Sequence, residues 1–358
     1  MADLFEPLTI GAIQAPNRIL MAPLTRGRAS RAHVPTPLMA EYYAQRASAG
    51  LIITEATGIS QQGLGWPYAP GIWSDEQVAA WKPIVRAVHD AGGRIVSQLW
   101  HMGRLVHPDY LDDKPPVSAS ATTAPDWART YAGKKRYALS RALDFDEIAL
   151  IVGDYRRAAR NAMAAGFDGV QLHAANGYLI DQFLRDGTNQ RQDIYGGSIG
   201  NRIRLLIEVT RALIDTVGAD RTGVRLSPND DPQGCSDSHS AELFTEAATE
   251  LNRLQIAFLE MRASRPESTF RPALRQLVPA MRRAFKGILI LNSDYGFDSA
   301  SETLRLGEAD AIAFGRTFLA NPDLPQRFAK HAGLNKANVA TFYTPGHAGY
   351  TDYPLLNN

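Results

Sequence analysis

Eight short apolar runs punctuate the chain: RILMAP (18–23), LIITEA (51–56), RIVSQLW (94–100), DGVQLH (168–173), TGVRLS (222–227), IAFLEMR (256–262), GILILN (287–292) and DAIAFG (310–315). Each is nearly continuous in Val, Ile, Leu, Ala or Phe rather than alternating, as strands buried on both faces are. Between them, TPLMAEYYAQRA, SDEQVAAWKPIVRAVHDAG, DEIALIVGDYRRAARNAMAAG and NRIRLLIEVTRALIDTVG carry apolar residues at helical spacing, several opening on Ser or Asp and closing at Gly. Eight strand–helix alternations predict an α/β protein of the (β/α)8 TIM-barrel class, one domain over residues 1–358. A doubly wound sheet would show fewer alternations and a Gly-rich turn after its first strand, where PLTRGRAS stands here. The opening LFEPLTIGAIQAPN is expected to form a short hairpin plugging the far end of the barrel. One long irregular segment, about 102–145, follows the third run and is rich in Pro, Ser, Thr and Ala. Loops of that length are usually lids or binding loops, so it is expected to be an excursion over the barrel mouth.

Charge and composition narrow the partners. Lys+Arg 38 against Asp+Glu 37 leaves a formal net charge of +1 without a long basic run, which speaks against a nucleic-acid partner. The 45% hydrophobic residues lie in short runs, none approaching the ~18 uninterrupted apolar residues of a membrane span. MADLFEPLTIGA lacks a basic stretch followed by an apolar one, and Cys235 is the only cysteine. Intramolecular disulfides, iron–sulfur clusters and Cys-based zinc sites are thereby excluded, and a cytoplasmic location is expected.

In a barrel of this class the ligand site forms at the C-terminal ends of the strands. The polar residues there are Thr25 after the first run, Gln98 and Trp100 ending the third, His173, Asn176 and Tyr178 after the fourth, Arg225 in the fifth and Arg316 after the eighth. Glu55 and Glu260 come singly, which disfavours a two-carboxylate mechanism. Lys286 precedes its strand, at the wrong end for a Schiff base, and His101 and His173 lack a carboxylate at metal-binding spacing. What remains suits a polar heterocycle carrying an anionic group, and such a site needs a cofactor for its chemistry. AFGRTFLANPDL is the candidate phosphate loop, with Gly315 allowing close backbone approach and Arg316 offering a two-pronged donor. The alternative role for Arg316 is a surface ion pair.

NRILMAPLTRGRA, EATGIS, GWPYAPGIWSDEQV, QLWHMGR, FDGVQLHAANGYLIDQFL, VRLSP, AFGRTFLANPDLP and GYTDYP occur in order between about residues 3 and 354. As an ordered set they resemble the Old Yellow Enzyme family of FMN-dependent ene-reductases. The resemblance implies noncovalent FMN, reduced by NADPH or NADH and reoxidised by an α,β-unsaturated carbonyl or nitro compound. It implies that Pro23, Leu24 and Thr25 line the flavin, with the Thr25 hydroxyl near O4, that Ala56 lies at the flavin edge, and that Gln98 binds the pyrimidine edge. Arg225 would lie near N1 and O2, and Gly315 and Arg316 would hold the phosphate. His173 and Asn176 would donate hydrogen bonds to the substrate oxygen while Tyr178 protonates the α-carbon, and Trp66, Trp100 and Tyr343 would shape the substrate pocket. Arg26, Arg28 and Arg31 are expected in a solvated loop, where one could meet the phosphate of the nicotinamide donor.

Three positions depart from the family pattern. Asn176 stands where many relatives carry a second histidine, and Ala56 replaces a glycine. In LNSDYGFD (291–298), relatives often have a glycine-rich phosphate turn, so Asn292, Ser293 and Asp294 join the cofactor set. Asp294 would repel a phosphate unless its side chain turned away, so backbone N–H groups are expected to make that contact. Two competing readings are a flavin barrel oxidising a dihydropyrimidine or 2-hydroxy acid and a flavin carrier without turnover. Tyr178, where the first would need a Cys, Ser or His base, and the complete His173–Asn176–Tyr178 set speak against them. Monomer and homodimer are both compatible with the sequence.

Overall fold

The structure is a computed structural model that describes residues 3–228, 231–262 and 277–356. Its barrel strands are β1 (Ile19–Met21), β2 (Ile52–Ile53), β3 (Ile95–Trp100), β4 (Gly169–His173), β5 (Thr222–Leu226), β6 (Phe258–Arg262), β7 (Ile288–Asn292) and β8 (Ala311–Phe314). Each lies within one of the apolar runs. Every neighbouring pair is parallel, and the pairing of Phe314 with Met21 closes β8 onto β1. The principal outer helices are α1 (Pro37–Ala44), α2 (Asp75–Asp90), α3 (Phe145–Ala165), α4 (Arg204–Val217), α5 (Ser240–Arg253), α6 (Leu277–Ala284), α7 (Phe297–Arg305) and α8 (Leu324–Ala329).

Two apolar cores explain why the strands show no alternation. One face of each strand packs against the helices, with Ile52, Leu99, Leu172, Val224, Leu259 and Leu291 in that outer core. The other face fills the barrel with Leu20, Ile53, Val96, Phe258, Ile290 and Ala311. Gly223 makes room for Phe258, since a Cβ there would meet the Phe258 ring at 2.2 Å. The N-terminal hairpin, Leu8–Ile10 against Ile13–Ala15, adds Ile10, Ile13 and Ala15 to this inner cluster and so plugs the N-terminal end.

Local signals set the helix ends. Ser74 accepts from the Gln77 N–H while the Gln77 side chain accepts from the Ser74 N–H, a reciprocal cap that starts α2 with Asp75 and Glu76 in its first turn. Ser74→Ala is expected to destabilise the fold by about 1 kcal/mol, read as a lower urea midpoint at unchanged m-value. Trp81 of α2 lies in the core with its indole N–H on the Gly71 carbonyl.

The excursion differs from expectation in carrying regular secondary structure. It holds an antiparallel hairpin, Trp127–Thr130 against Gly133–Arg136, and a parallel contact of Val117–Ser118 with Arg141–Ala142. It does reach the mouth, where the Arg129 guanidinium lies 4.6 Å from the ring centre of Tyr343 and 5.5 Å from that of Trp66. The loop after β1 also departs from expectation, because Arg26 and Arg28 are 1% and 5% exposed. Arg26 donates to the Phe342 and Gly349 carbonyls, and Arg28 to those of Thr341, Phe342 and Ala348. Backbone oxygens thus replace water around both cations, and the C-terminal segment is stapled to the mouth. Among the described residues, no helix is long and apolar enough to cross a membrane.

Candidate active site

The turn after β4 carries three functional side chains in six residues. Asn176 and Gly177 both adopt the left-handed region, at φ 59° and 80°. Asn tolerates that geometry, while at Gly177 a Cβ would in addition strike the Pro232 carbonyl at 2.5 Å. The Gly177 N–H donates to Asp181, whose carboxylate is held by Arg185 at 2.7 Å, both side chains fully buried. The Asn176 N–H donates to the Ser227 hydroxyl after β5. This clamp brings His173, Tyr178 and Trp100 together. The Tyr178 ring meets those of His173 and Trp100 edge-on, each at 4.9 Å, and the Trp100 indole stacks near His173 at 6.3 Å.

Electrostatics decide what each side chain offers. Burial, with Arg225 nearby, pushes the His173 imidazole well below its ordinary range, so the ring is neutral at working pH. Its Nδ1 accepts weakly from the Ala175 N–H at 3.4 Å, which assigns the proton to Nε2. Arg262 donates to the Asn176 Oδ1 at 3.0 Å and thereby leaves the Nδ2 protons as that side chain's donors. Tyr178 differs from a free phenol of pKa ~10, because burial pushes it up, Tyr137 and Tyr343 adding to the effect. It keeps its proton throughout the working range.

These three line a cavity of about 500 Å³ at the C-terminal ends of the strands. Pro23, Leu24, Thr25 and Ala56 form its β1–β2 side, and Trp66, Trp100 and Tyr343 its outer wall. Trp66 and Tyr343 meet edge-on at 5.3 Å. The floor is polar. Gln98 Nε2 donates to Gln171 Oε1 at 2.7 Å, and Gln171 Nε2 donates to Glu260 Oε2 at 2.7 Å. Glu260 Oε1 lies 3.1 Å from Arg225 Nε, Arg225 Nη2 donates to Asn292 Oδ1 at 2.9 Å, and Asn292 Nδ2 donates to the Ala313 carbonyl. Burial lowers the Arg225 pKa from its ordinary value with Glu260 opposing, and a guanidinium so placed stays charged.

On the β7–β8 side the cavity is lined by Asn292, Ser293, Asp294, Gly315 and Arg316. A Cβ on Gly315 would have only the Leu24 methyl within reach, at 3.6 Å, so the absence of a side chain leaves space in the cavity rather than relieving a clash. Asp294 does not turn away from Arg316. Its carboxylate meets the guanidinium at 2.8 Å, with the two side chains 73% and 65% exposed. An exposed pair of that kind is worth at most ~1 kcal/mol, so an entering anion can compete for the arginine.

The structure therefore brings all the predicted site residues to one cavity and adds others. Arg262 and Phe342 also line it, and Gln171 and Glu260 lie beneath it. Gln171 and Glu260 were visible as polar interruptions of buried strands, whereas nothing in the sequence pairs Arg262 with Asn176. A flat heterocycle with an anionic tail fits this donor set, with amides and a cation at one end and a glycine–arginine edge at the other.

Fold and cavity together define a flavin-dependent barrel oxidoreductase. The chain belongs to the Old Yellow Enzyme family, with the model of the NADH:flavin oxidoreductase / NADH oxidase family matching residues 3–335. It is similar to the old yellow enzyme homologue from Zymomonas mobilis, at 59% identity over 99% of this chain and 100% of that one, with a TM-score of 0.97. It is similar to morphinone reductase, solved in complex with tetrahydroNAD, at 45% identity over 100% and 99% of the two chains and a TM-score of 0.94. Among curated proteins, 12-oxophytodienoate reductase 2 of Arabidopsis thaliana is 42% identical over 99% of this chain and 96% of that protein.

Proposed function

We propose that the protein is a cytoplasmic, NAD(P)H-dependent ene-reductase that binds FMN noncovalently in a single barrel domain, as a monomer or homodimer. Its substrates are α,β-unsaturated carbonyl and nitro compounds. The observation that carries this reading is the single turn that presents a neutral imidazole N–H, an oriented amide and a protonated phenol around Trp100. Bound FMN supplies the chemistry of hydride acceptance from NAD(P)H and delivery to the β-carbon of the alkene. Pro23, Leu24, Thr25, Ala56, Gln98 and Arg225 would hold its ring system, and Asn292, Ser293, Asp294, Gly315 and Arg316 its phosphate end. At Asp294 the backbone rather than the carboxylate would make the contact.

His173 and Asn176 donate hydrogen bonds to the carbonyl or nitro oxygen, which gains negative charge as the β-carbon is attacked. Two neutral donors suit that oxygen because they need no proton exchange with solvent. Tyr178 transfers its phenolic proton to the α-carbon, and its raised pKa keeps that proton in place until the carbon is basic enough to take it. Trp66, Trp100 and Tyr343 confine the alkene and exclude water. The tetrahydroNAD complex of morphinone reductase supports a nicotinamide nucleotide as the reductant.

An anaerobic absorbance spectrum of the purified protein tests the reading. NADPH is expected to bleach the flavin bands, and subsequent cyclohexenone to restore them. Protein that is colourless and stays so after incubation with FMN would overturn it.

A further inference from the structure

Beneath the mouth, four strands contribute a row of buried polar side chains as two cross-strand pairs. Gln98 of β3 pairs with Gln171 of β4, and Arg225 of β5 with Glu260 of β6. Gln171 and Glu260 are wholly buried and Gln98 is 1% exposed. Neither Gln171 nor Glu260 belongs to the set assigned to substrate or cofactor, yet a barrel interior could have filled both places with Val or Leu at less desolvation cost.

The chemistry of the row has a direction. An amide side chain has a donor end and an acceptor end and can settle either way round, whereas a carboxylate only accepts. Glu260 Oε2 therefore demands the NH2 of Gln171, at 2.7 Å. That turns the Gln171 oxygen toward Gln98 and obliges Gln98 to present its own NH2 there, again at 2.7 Å. The Gln98 oxygen and its second N–H proton are left for the cavity it lines. The other oxygen of the same carboxylate lies at ion-pair distance, 3.1 Å, from Arg225 Nε without a hydrogen bond between them, while Arg225 Nη2 is taken by Asn292. One buried anion thus orients an amide on one side and balances a cation on the other.

We infer that Glu260, acting through Gln171 and Arg225, is a positioning residue that sets both the hydrogen-bonding polarity of Gln98 and the net charge felt at the floor of the cofactor cavity. The inference rests on the reading that FMN occupies this cavity. The negative charge of Glu260 opposes that of a reduced, anionic cofactor, so the site holds the reduced form less tightly than an uncompensated Arg225 would.

Glu260→Gln separates these effects because it keeps the shape and removes the charge. A glutamine in that place must direct its NH2 at a donor, toward either Gln171 or Arg225, so the row loses its fixed direction. The expected results are about a tenfold rise in the dissociation constant of oxidised FMN and a shift of about tenfold in preference toward the reduced form, read as a midpoint potential about 30 mV more positive. A carboxylate that merely packed the barrel would lower Tm and leave the potential where it was, and that result overturns the inference. Gln171→Leu keeps the Glu260–Arg225 pair and its charge while removing the hydrogen bonds that join Glu260 to Gln98. It is expected to weaken oxidised FMN without the positive shift, and unchanged FMN affinity in that variant overturns the inference even if Glu260→Gln fails to fold. Wild-type protein that binds no FMN overturns the cofactor reading as well, whereas normal wild-type binding with an unmoved Glu260→Gln potential overturns this inference alone.

Discussion

Replacing Tyr178 with Phe is expected to slow reduction of cyclohexenone by about 10²–10⁴-fold, the range over which a positioned general acid contributes. Bleaching of the bound flavin by NADPH should stay close to the wild-type rate, because that half of the cycle needs no proton from the phenol. The substitution removes one oxygen and keeps the ring, so its contacts with His173 and Trp100 at 4.9 Å are retained and the fold should be undisturbed. Stopped-flow measurement of the two half-reactions checks the separation. Equal slowing of both, or of neither, would remove Tyr178 from its proposed role. The buried phenol loses its proton only far above neutral pH, so no alkaline limb from Tyr178 should appear in the profile below pH ~9.

His173→Ala is expected to cost roughly 3 kcal/mol of transition-state stabilisation, about 150-fold in turnover on enones. FMN affinity should change little, since the imidazole serves the substrate oxygen. Asn176→Ala should act in the same direction, and the double variant should lose less than the product of the two effects, because both donors serve one oxygen. Titration of FMN into each variant together with steady-state rates makes the distinction. If FMN affinity fell in parallel with turnover, the histidine would belong to the cofactor site instead.

The barrel was legible because strands sandwiched between a filled interior and a shell of helices must be apolar on both faces. That requirement writes RIVSQLW and GILILN as uninterrupted runs, and the structure places β3 and β7 within them. The excursion was read as irregular because its hairpin is mostly solvent-exposed. Gly133–Arg136 is exposed at every position, so no burial pattern imposes a strand period on it. Arg26 and Arg28 misled for a related reason. Most of their partners are backbone carbonyls from more than 300 positions away, and carbonyls leave no trace in the identity of residues. The site itself was legible to the extent that it lies at strand ends, where topology brings distant residues together. The orientation of Asn176 by Arg262 and of Gln98 by Gln171 and Glu260 depends on which atom faces which, and only coordinates supply that.

The guanidinium groups of Arg26 and Arg28 grip a stretch that follows all eight barrel strands in the sequence. Phe342 and Tyr343 line the cavity only because that stretch is anchored to the loop after β1. The eight strands alone lack this wall, and without it the two cations near the mouth lose the carbonyls of Thr341, Phe342, Ala348 and Gly349. The cavity is therefore completed only by residues beyond the barrel, and a chain cut short ahead of Thr341 would keep its eight strands while losing the Phe342–Tyr343 side of that cavity.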